Sequence, residues 1–162
     1  MEYSVERLEH RHWPAVRAIY EEGISTGQAT FETSAPDWER WNGDHLQICR
    51  FVMVRGDLVA GWSALSPISA RSVYAGVAEV SIYIAQDHRV QGCGRILLKA
   101  LIEGSELAGI WTLQTGVFPE NDASMALHKA CGFRIVGRRE RIGQINGLWR
   151  DVILLERRSY VV

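Results

Sequence analysis

Between Ala78 and Leu98 the chain reads AEVSIYIAQDHRVQGCGRILL, and few folds accommodate such a stretch. Val80, Ile82 and Ile84 alternate with Ser81 and Tyr83, the period-two pattern of a strand rich in β-branched and aromatic residues. Polar residues then lead into Arg89-Val90-Gln91-Gly92-Cys93-Gly94. After them Ile96, Leu97, Ala100, Leu101, Gly104 and Ala108 fall at helical spacing. A strand that turns through glycines into a helix leaves the first backbone N–H groups of that helix unpaired, at the positive end of its dipole. The segment Val90, Gln91, Gly92, Cys93, Gly94 and Arg95 is therefore a candidate anion site, where glycine lets a phosphate approach the backbone.

The identity of the phosphate ligand narrows by elimination of other loops. The dinucleotide fingerprint G-x-G-x-x-G fails because Leu97 holds the third glycine position, and the triphosphate loop G-x-x-x-x-G-K-[ST] is absent. What remains, R-x-x-G-x-G after a strand, resembles the pyrophosphate loop of the GCN5-related N-acetyltransferase (GNAT) superfamily, whose cosubstrate is acetyl-CoA. Short glycine patterns recur by chance, so the rest of the chain has to weigh in.

At 162 residues the chain is expected to form one domain, residues 1–162, with a sizeable core. A formal net charge of −1 gives no bulk attraction to nucleic acid or to an anionic membrane. Cys49, Cys93 and Cys131 are an odd, scattered set without a C-x-x-C pair, implying neither a disulfide framework nor a metal site. MEYSVERLEHRHW is too polar for a secretory signal and no apolar run approaches spanning length, so a reducing cytoplasm is the expected location.

In chain order, Tyr3–Leu8 reads as a strand. A helix follows from His12, with Trp13, Val16, Ile19 and Tyr20 as its apolar stripe and Gly23 able to end it. Gly27–Pro36 is a loop, and a short amphipathic piece surrounds Trp38 and Trp41. Ile48–Val54 and Leu58–Leu65 are strands joined at Arg55-Gly56-Asp57. Ser66–Val77 is a polar loop. Beyond the long helix, Ile110–Val117 is a strand, and Asn121 and Asp122 open a helix closed by Gly132-Phe133. Arg134–Ile142 and Leu148–Glu156 finish as two strands around Gln144–Gly147. The fold class is thus α/β, a mixed sheet with helices on its faces. This order resembles the GNAT fold, in which the central strand and its successor splay apart to admit a pantetheine arm.

Several patterns carry plainer meanings. Gly23-Ile24-Ser25-Thr26-Gly27 spells a hydrolase nucleophile elbow but follows a helix rather than a strand. Cys93 with His88 could be taken for a nucleophile pair, yet a small side chain between two glycines at a helix start is sufficient reason for the cysteine. His10 and His12 read as solvated. Trp13, Trp38, Trp41, Trp62 and Trp111 read as core or cleft wall, with Trp149 open.

Acyl transfer to an amine asks for a base, donors to the thioester oxygen and relief of the leaving thiolate. Glu79 opens the strand that aims at the phosphate loop, and is the candidate base; a surface carboxylate paired with an arginine is the alternative. Asn121, Ser124 and His128 share one helical face, while Ala123, Leu127 and Ala130 read as the core face. Asn121 and Ser124 also suit a first-turn cap. The GNAT resemblance implies that Asn121 and Ser124 meet the pantetheine and that Ile82, Tyr83 and Ile84 bind the thioester and pantetheine; His128, standing where a thiolate-protonating tyrosine is commoner, is the candidate catalytic acid or a pantetheine contact.

A closer resemblance rests on Arg71, Tyr74, Ala78, Glu79 and Tyr83, on Ala29-Thr30-Phe31-Glu32, on Leu127-His128 and on Asn146 to Val152. These are similar to the phosphinothricin and methionine sulfoximine N-acetyltransferase branch, usually homodimers acting on the α-amino group of small amino-acid analogues. The resemblance implies direct transfer in a ternary complex, with no metal. In the loop ahead of Glu79, Arg71 offers a planar charged fork suited to a substrate carboxylate or phosphinate and Tyr74 an aromatic wall with a hydroxyl, with Phe31 and Glu32 expected to close the other side of the cleft. A peptide N-terminal or polyamine acetyltransferase, or a coenzyme A-binding module without turnover, are the competing readings; Glu79 argues against the last.

Overall fold

The computed structural model describes residues 2–162. Its elements are β1 (Ser4–Arg7), α1 (Trp13–Ser25), α2 (Trp38–Asp44), β2 (Phe51–Arg55), β3 (Leu58–Pro67), β4 (Val77–Ile84), α3 (Cys93–Leu107), β5 (Thr112–Val117), α4 (Asp122–Ala130), β6 (Arg134–Ile145) and β7 (Leu148–Arg158). The strands form one mixed sheet in the order β1-β2-β3-β4-β5-β7-β6. Every neighbouring pair is antiparallel except β4 and β5, which run parallel across the α3 crossover.

Alternation along the strands sorts the core into two faces. Val52, Val54, Trp62 and Ala64 pack with Trp13, Val16 and Ile19 of α1 and Trp41 of α2. On the other face Leu65, Ala78 and Val80 meet Leu98, Leu101 and Ile102 of α3. Burying each leucine of α3 contributes about 2 kcal/mol, which is what fixes the helix across the sheet. Trp41 is the centre of an aromatic cluster, with ring centroids 5.7 Å from Trp13, 5.7 Å from Trp38, 4.3 Å from His45 and 5.5 Å from Trp62. Trp62 in turn stacks on Tyr83 of β4 at 5.0 Å.

Several local expectations change in the folded chain. The helix does not stop at Gly23 but runs to Ser25, and the glycine has a different reason. A Cβ there would sit 2.7 Å from the Tyr83 ring, so Gly23 permits helix and strand to touch. In the same stretch Ser25 donates to the Glu22 carbonyl and Thr26 to that of Gly23, ordinary helix-end bonds rather than a nucleophile elbow. His12 is buried, not solvated: its Nδ1 accepts from the Glu9 N–H, and burial lowers its pKa, favouring the neutral ring. His10 stacks on Trp38.

Strand β2 begins at Phe51 rather than Ile48. Cys49 takes a left-handed φ of 58°, and Arg50 turns back against the end of α2. The buried Arg50 guanidinium donates to the carbonyls of Asn42, His45 and Leu46 and to Asn42 Oδ1, satisfying groups that the helix end leaves open. At the other end of the chain, β6 and β7 meet in a two-residue turn, Asn146-Gly147, with φ of 50° and 79°, the left-handed pair that a tight hairpin requires. Gly132 closes α4 at φ 91°, and Phe133 packs back edge-on to His128.

Candidate active site

The parallel ladder between β4 and β5 pairs Val77 with Thr112, Ala78 with Leu113 and Glu79 with Gln114, and goes no further. Beyond it β4 runs on to Ile84 and β5 to Val117, so the strands part and a V-shaped opening follows. Around it lies a cleft of about 1490 Å³. Glu79 and Gln114 stand at its apex, Ile82, Tyr83 and Ile84 along one wall, Asn121, Ser124 and His128 along the other.

The loop before α3 closes one end. Val90, Gly92, Cys93, Gly94 and Arg95 all line the cleft. Val90 is fully exposed at φ 63°, a strained value for a β-branched residue, and Gly92, the N-cap, is at φ 80°. No side chain caps α3, so its first N–H groups are free to hold an anion. Gln91 lies off the cleft lining; its side chain accepts from the Tyr3 hydroxyl and donates to the Asp87 carbonyl. Tyr3 Oη also lies 2.6 Å from His88 Nδ1, so Tyr3, just ahead of β1, holds this segment at two points. Cys93 is buried, in a cluster with Met53, Ala60 and Leu97.

These dihedrals make Gly92 the cleaner probe of the loop. A Cβ at Gly92 would touch nothing within 4 Å, whereas one at Gly94 would press on Leu127 at 3.3 Å. Gly92→Val is therefore expected to keep the fold and weaken acetyl-CoA binding at least tenfold, about 1.4 kcal/mol, because valine resists the left-handed dihedral and crowds the anion's approach. Calorimetry that finds unchanged affinity in the folded variant would take the loop out of the site.

Glu79 is open to solvent on the cleft side, and partial desolvation by the surrounding walls raises its pKa, opposed by the positive charge of Arg139. That is the environment of a carboxylate poised to take a proton. Tyr83 is pushed up more strongly, by burial and then by Tyr20, which is itself raised to about 12; both stay protonated donors at physiological pH.

The final helix differs from its expected faces. Ala123 and Ala130 are not core but line the cleft, where small side chains leave it room. The buried residue is His128. Its Nδ1 donates to the Ser124 carbonyl at 2.8 Å, and burial lowers its pKa, so the ring is neutral with its proton on Nδ1. Nε2 is sealed from solvent and has no partner among the described residues. A neutral ring in this tautomer has no proton on Nε2 to give. Asn121 caps the helix by accepting from the Ser124 N–H, and its Nδ2 donates to the Gln28 carbonyl.

Phe31 reaches the cleft and meets Phe118 edge-on at 4.9 Å. Its loop is held by Arg150, which donates to the Gly27 carbonyl and Gln28, pairs with Glu120 and lies 4.1 Å over Phe118. Glu32, Arg71 and Tyr74 do not line the cleft. Arg71 and Tyr74 are exposed, the guanidinium 5.6 Å over the ring. In contrast Gln114, Phe118 and Arg139, none singled out by the sequence patterns, do line it. Among the described residues no three His, Cys, Asp or Glu side chains gather as a metal site, and no helix is long and apolar enough to cross a membrane.

Residues 9–133 match the family model of the acetyltransferase (GNAT) family. The chain belongs to that family. Its chemistry is acetyl transfer with acetyl-CoA as donor, and the uncapped α3 start, the left-handed loop and the opening between β4 and β5 suit that donor. Over 151 residues this acetyltransferase is 34% identical to the phosphinothricin N-acetyltransferase of Alcaligenes faecalis, covering 89% of this chain and 76% of that one. It is 27% identical over 149 residues to the L-methionine sulfoximine/L-methionine sulfone acetyltransferase of Pseudomonas aeruginosa, covering 88% and 87%. Among solved structures, the ribosomal-protein-alanine N-acetyltransferase of Brucella melitensis superposes with a TM-score of 0.85 at 28% identity, over 96% of this chain and 99% of that one.

Proposed function

We propose that this acetyltransferase acylates the α-amino group of a small amino-acid analogue of the phosphinothricin or methionine sulfoximine type, by direct transfer while both substrates are bound. The observation that carries the proposal is Glu79 at the apex of the cleft, at the last rung of the β4–β5 ladder, with its pKa raised. Relatives named for these two substrate types, at 34% and 27% identity, support the choice of amine. A nucleophilic amine must first lose a proton, and Glu79 takes it. Bound acetyl-CoA supplies the thioester that the neutral amine attacks. The start of α3 holds the pyrophosphate, and Ile82, Tyr83 and Ile84, past the seam on the free side of β4, bind the pantetheine together with Asn121 and Ser124. The departing sulfur takes its proton from the acylated nitrogen, which has one to lose, so that no enzyme acid is needed. His128 then serves as a neutral wall.

Within one protomer Arg71 and Tyr74 stay outside this cleft. The proposal includes a homodimer, supported by the exposed Ile135, Val136, Leu148 and Trp149 of the β6–β7 hairpin, and a cytoplasmic location. Peptide N-terminal acetylation is the second reading, favoured by the similarity to the ribosomal-protein-alanine enzyme. Release of coenzyme A thiol with phosphinothricin, methionine sulfoximine, spermidine and an alanyl peptide decides between them. The highest kcat/KM is expected for the amino-acid analogues, and a highest value for the peptide or spermidine would overturn the proposal.

A further inference from the structure

We propose that Arg139 is the anchor for the substrate's carboxylate, so that the acceptor is an α-amino acid held as a zwitterion between Glu79 and Arg139. This rests on the acetyltransferase reading above and names what that site selects.

The arginines of the β6–β7 hairpin are nearly all occupied. Arg134 pairs with Glu156, Arg138 with Asp151, Arg150 with Glu120, and Arg157 with Glu106, while Arg141 lies over Trp149. Arg139 stands apart: it lines the cleft, and among the described residues it has neither an ion pair nor a side-chain hydrogen bond. Its charge is nevertheless felt by Glu79. The other cleft arginines, Arg89 and Arg95, belong to the phosphate loop, so Arg139 is the cation on the side of the base.

The local backbone accounts for its position. Pairing of β6 with β7 shifts a first time between Ile135 and Gly137; after Arg139 opposite Val152 it slips again and resumes at Gly143 opposite Arg150. Within the slip Arg141 takes φ 47°, and its N–H bonds to Asp151 Oδ1. A bulge of this kind re-aims side chains, and here it sets Arg139, Ile142 and Gly143 together on the cleft. Gly143 is bare where Phe31 lies: a Cβ would come 2.9 Å from that ring. The bulge thus presents a guanidinium beside an aromatic wall made by Phe31 and Phe118.

The charges of this site mirror those of an amino acid. The ammonium goes to the carboxylate of Glu79, where it is deprotonated, and the carboxylate goes to the planar fork of Arg139, which can grip both of its oxygens. The side chain then falls against the phenyl rings. An amine without the carboxylate would leave Arg139 unpaired inside the complex, and that is a basis for rejecting it.

The test compares L-methionine sulfoximine with its carboxamide, in wild type, Arg139→Gln and Arg139→Lys, each checked for an unchanged melting curve. The wild type is expected to prefer the acid by about tenfold or more in kcat/KM. Arg139→Gln should abolish that preference by raising KM for the acid, while KM for acetyl-CoA holds. Arg139→Lys should recover part of it. If the wild type turns over both compounds and Arg139→Gln keeps the ratio, the anchor is wrong and the acetyltransferase reading stands. If the wild type turns over an alanyl peptide or spermidine and neither of the pair, the substrate class falls and the anchor with it.

Discussion

Glu79→Gln is expected to lower kcat by roughly a hundredfold, the usual size of a general-base contribution, while the affinity for acetyl-CoA stays where it was. Glutamine keeps the shape at the last rung of the β4–β5 ladder and removes only the basic oxygen, so cleft and phosphate loop should be undisturbed. The pH profile supplies the sign. As the proposed base, Glu79 works only when deprotonated, so wild-type kcat/KM should fall as pH drops through its pKa. Desolvation raises that pKa, so the fall should begin above the ordinary carboxylate range. In the variant this limb disappears, and activity rises with pH only as the amine loses its own proton, so the two curves converge in alkali. Wild-type turnover by the variant at neutral pH would remove Glu79 from the mechanism.

Trp41→Ala should cost about 3 to 5 kcal/mol of stability, the range for deleting a large buried aromatic. Trp41 has no exposed surface, and its ring touches aromatic neighbours on α1, α2 and β3. A bare methyl there leaves a void whose walls are rings too rigid to collapse into it. The Arg50 guanidinium, 5.1 Å over the Trp41 ring, would lose that partner too. Urea unfolding followed by circular dichroism measures the loss as a fall in midpoint at constant slope. A loss below about 1 kcal/mol would mean that the cluster repacks, and would contradict the density assigned to this face.

What could be read from the amino acids was local. The strand, glycine loop and helix from Ala78 to Leu98 are coded by neighbours, and the fold keeps that order, with Glu79 and the loop on one cleft. Long-range contacts were illegible. Gly23 looks like a helix terminator until Tyr83 is seen against it, and His12 looks solvated until it is found buried. Ala123 and Ala130 have apolar character suited to a core, and only the neighbouring cleft shows why they must be small. Arg139 lies within Arg134–Ile142, which the sequence marks only as a strand. The second slip in the β6–β7 register, just after Arg139, sets it apart from Arg141, and a single sequence carries no sign of that slip. Arg71 and Tyr74 show the converse: a motif can be intact in the chain while its side chains lie exposed, outside the cleft lining.

The short ladder between β4 and β5 also bears on how the molecule breathes. Strands β1 to β4 lie in the sheet in the order of the chain, and β5, β7 and β6 form a second antiparallel group. Seven residue pairs join β3 to β4 and six join β5 to β7, but only three join the two groups. Each half can therefore zip up from its own segments, with the seam closing last, and the seam is the natural line of local opening. In native-state hydrogen exchange the amides bonded across Val77–Glu79 and Thr112–Gln114 should exchange at least tenfold faster, about 1.4 kcal/mol, than those bonded between β3 and β4. Equal protection on both ladders would show that the sheet opens only as a whole.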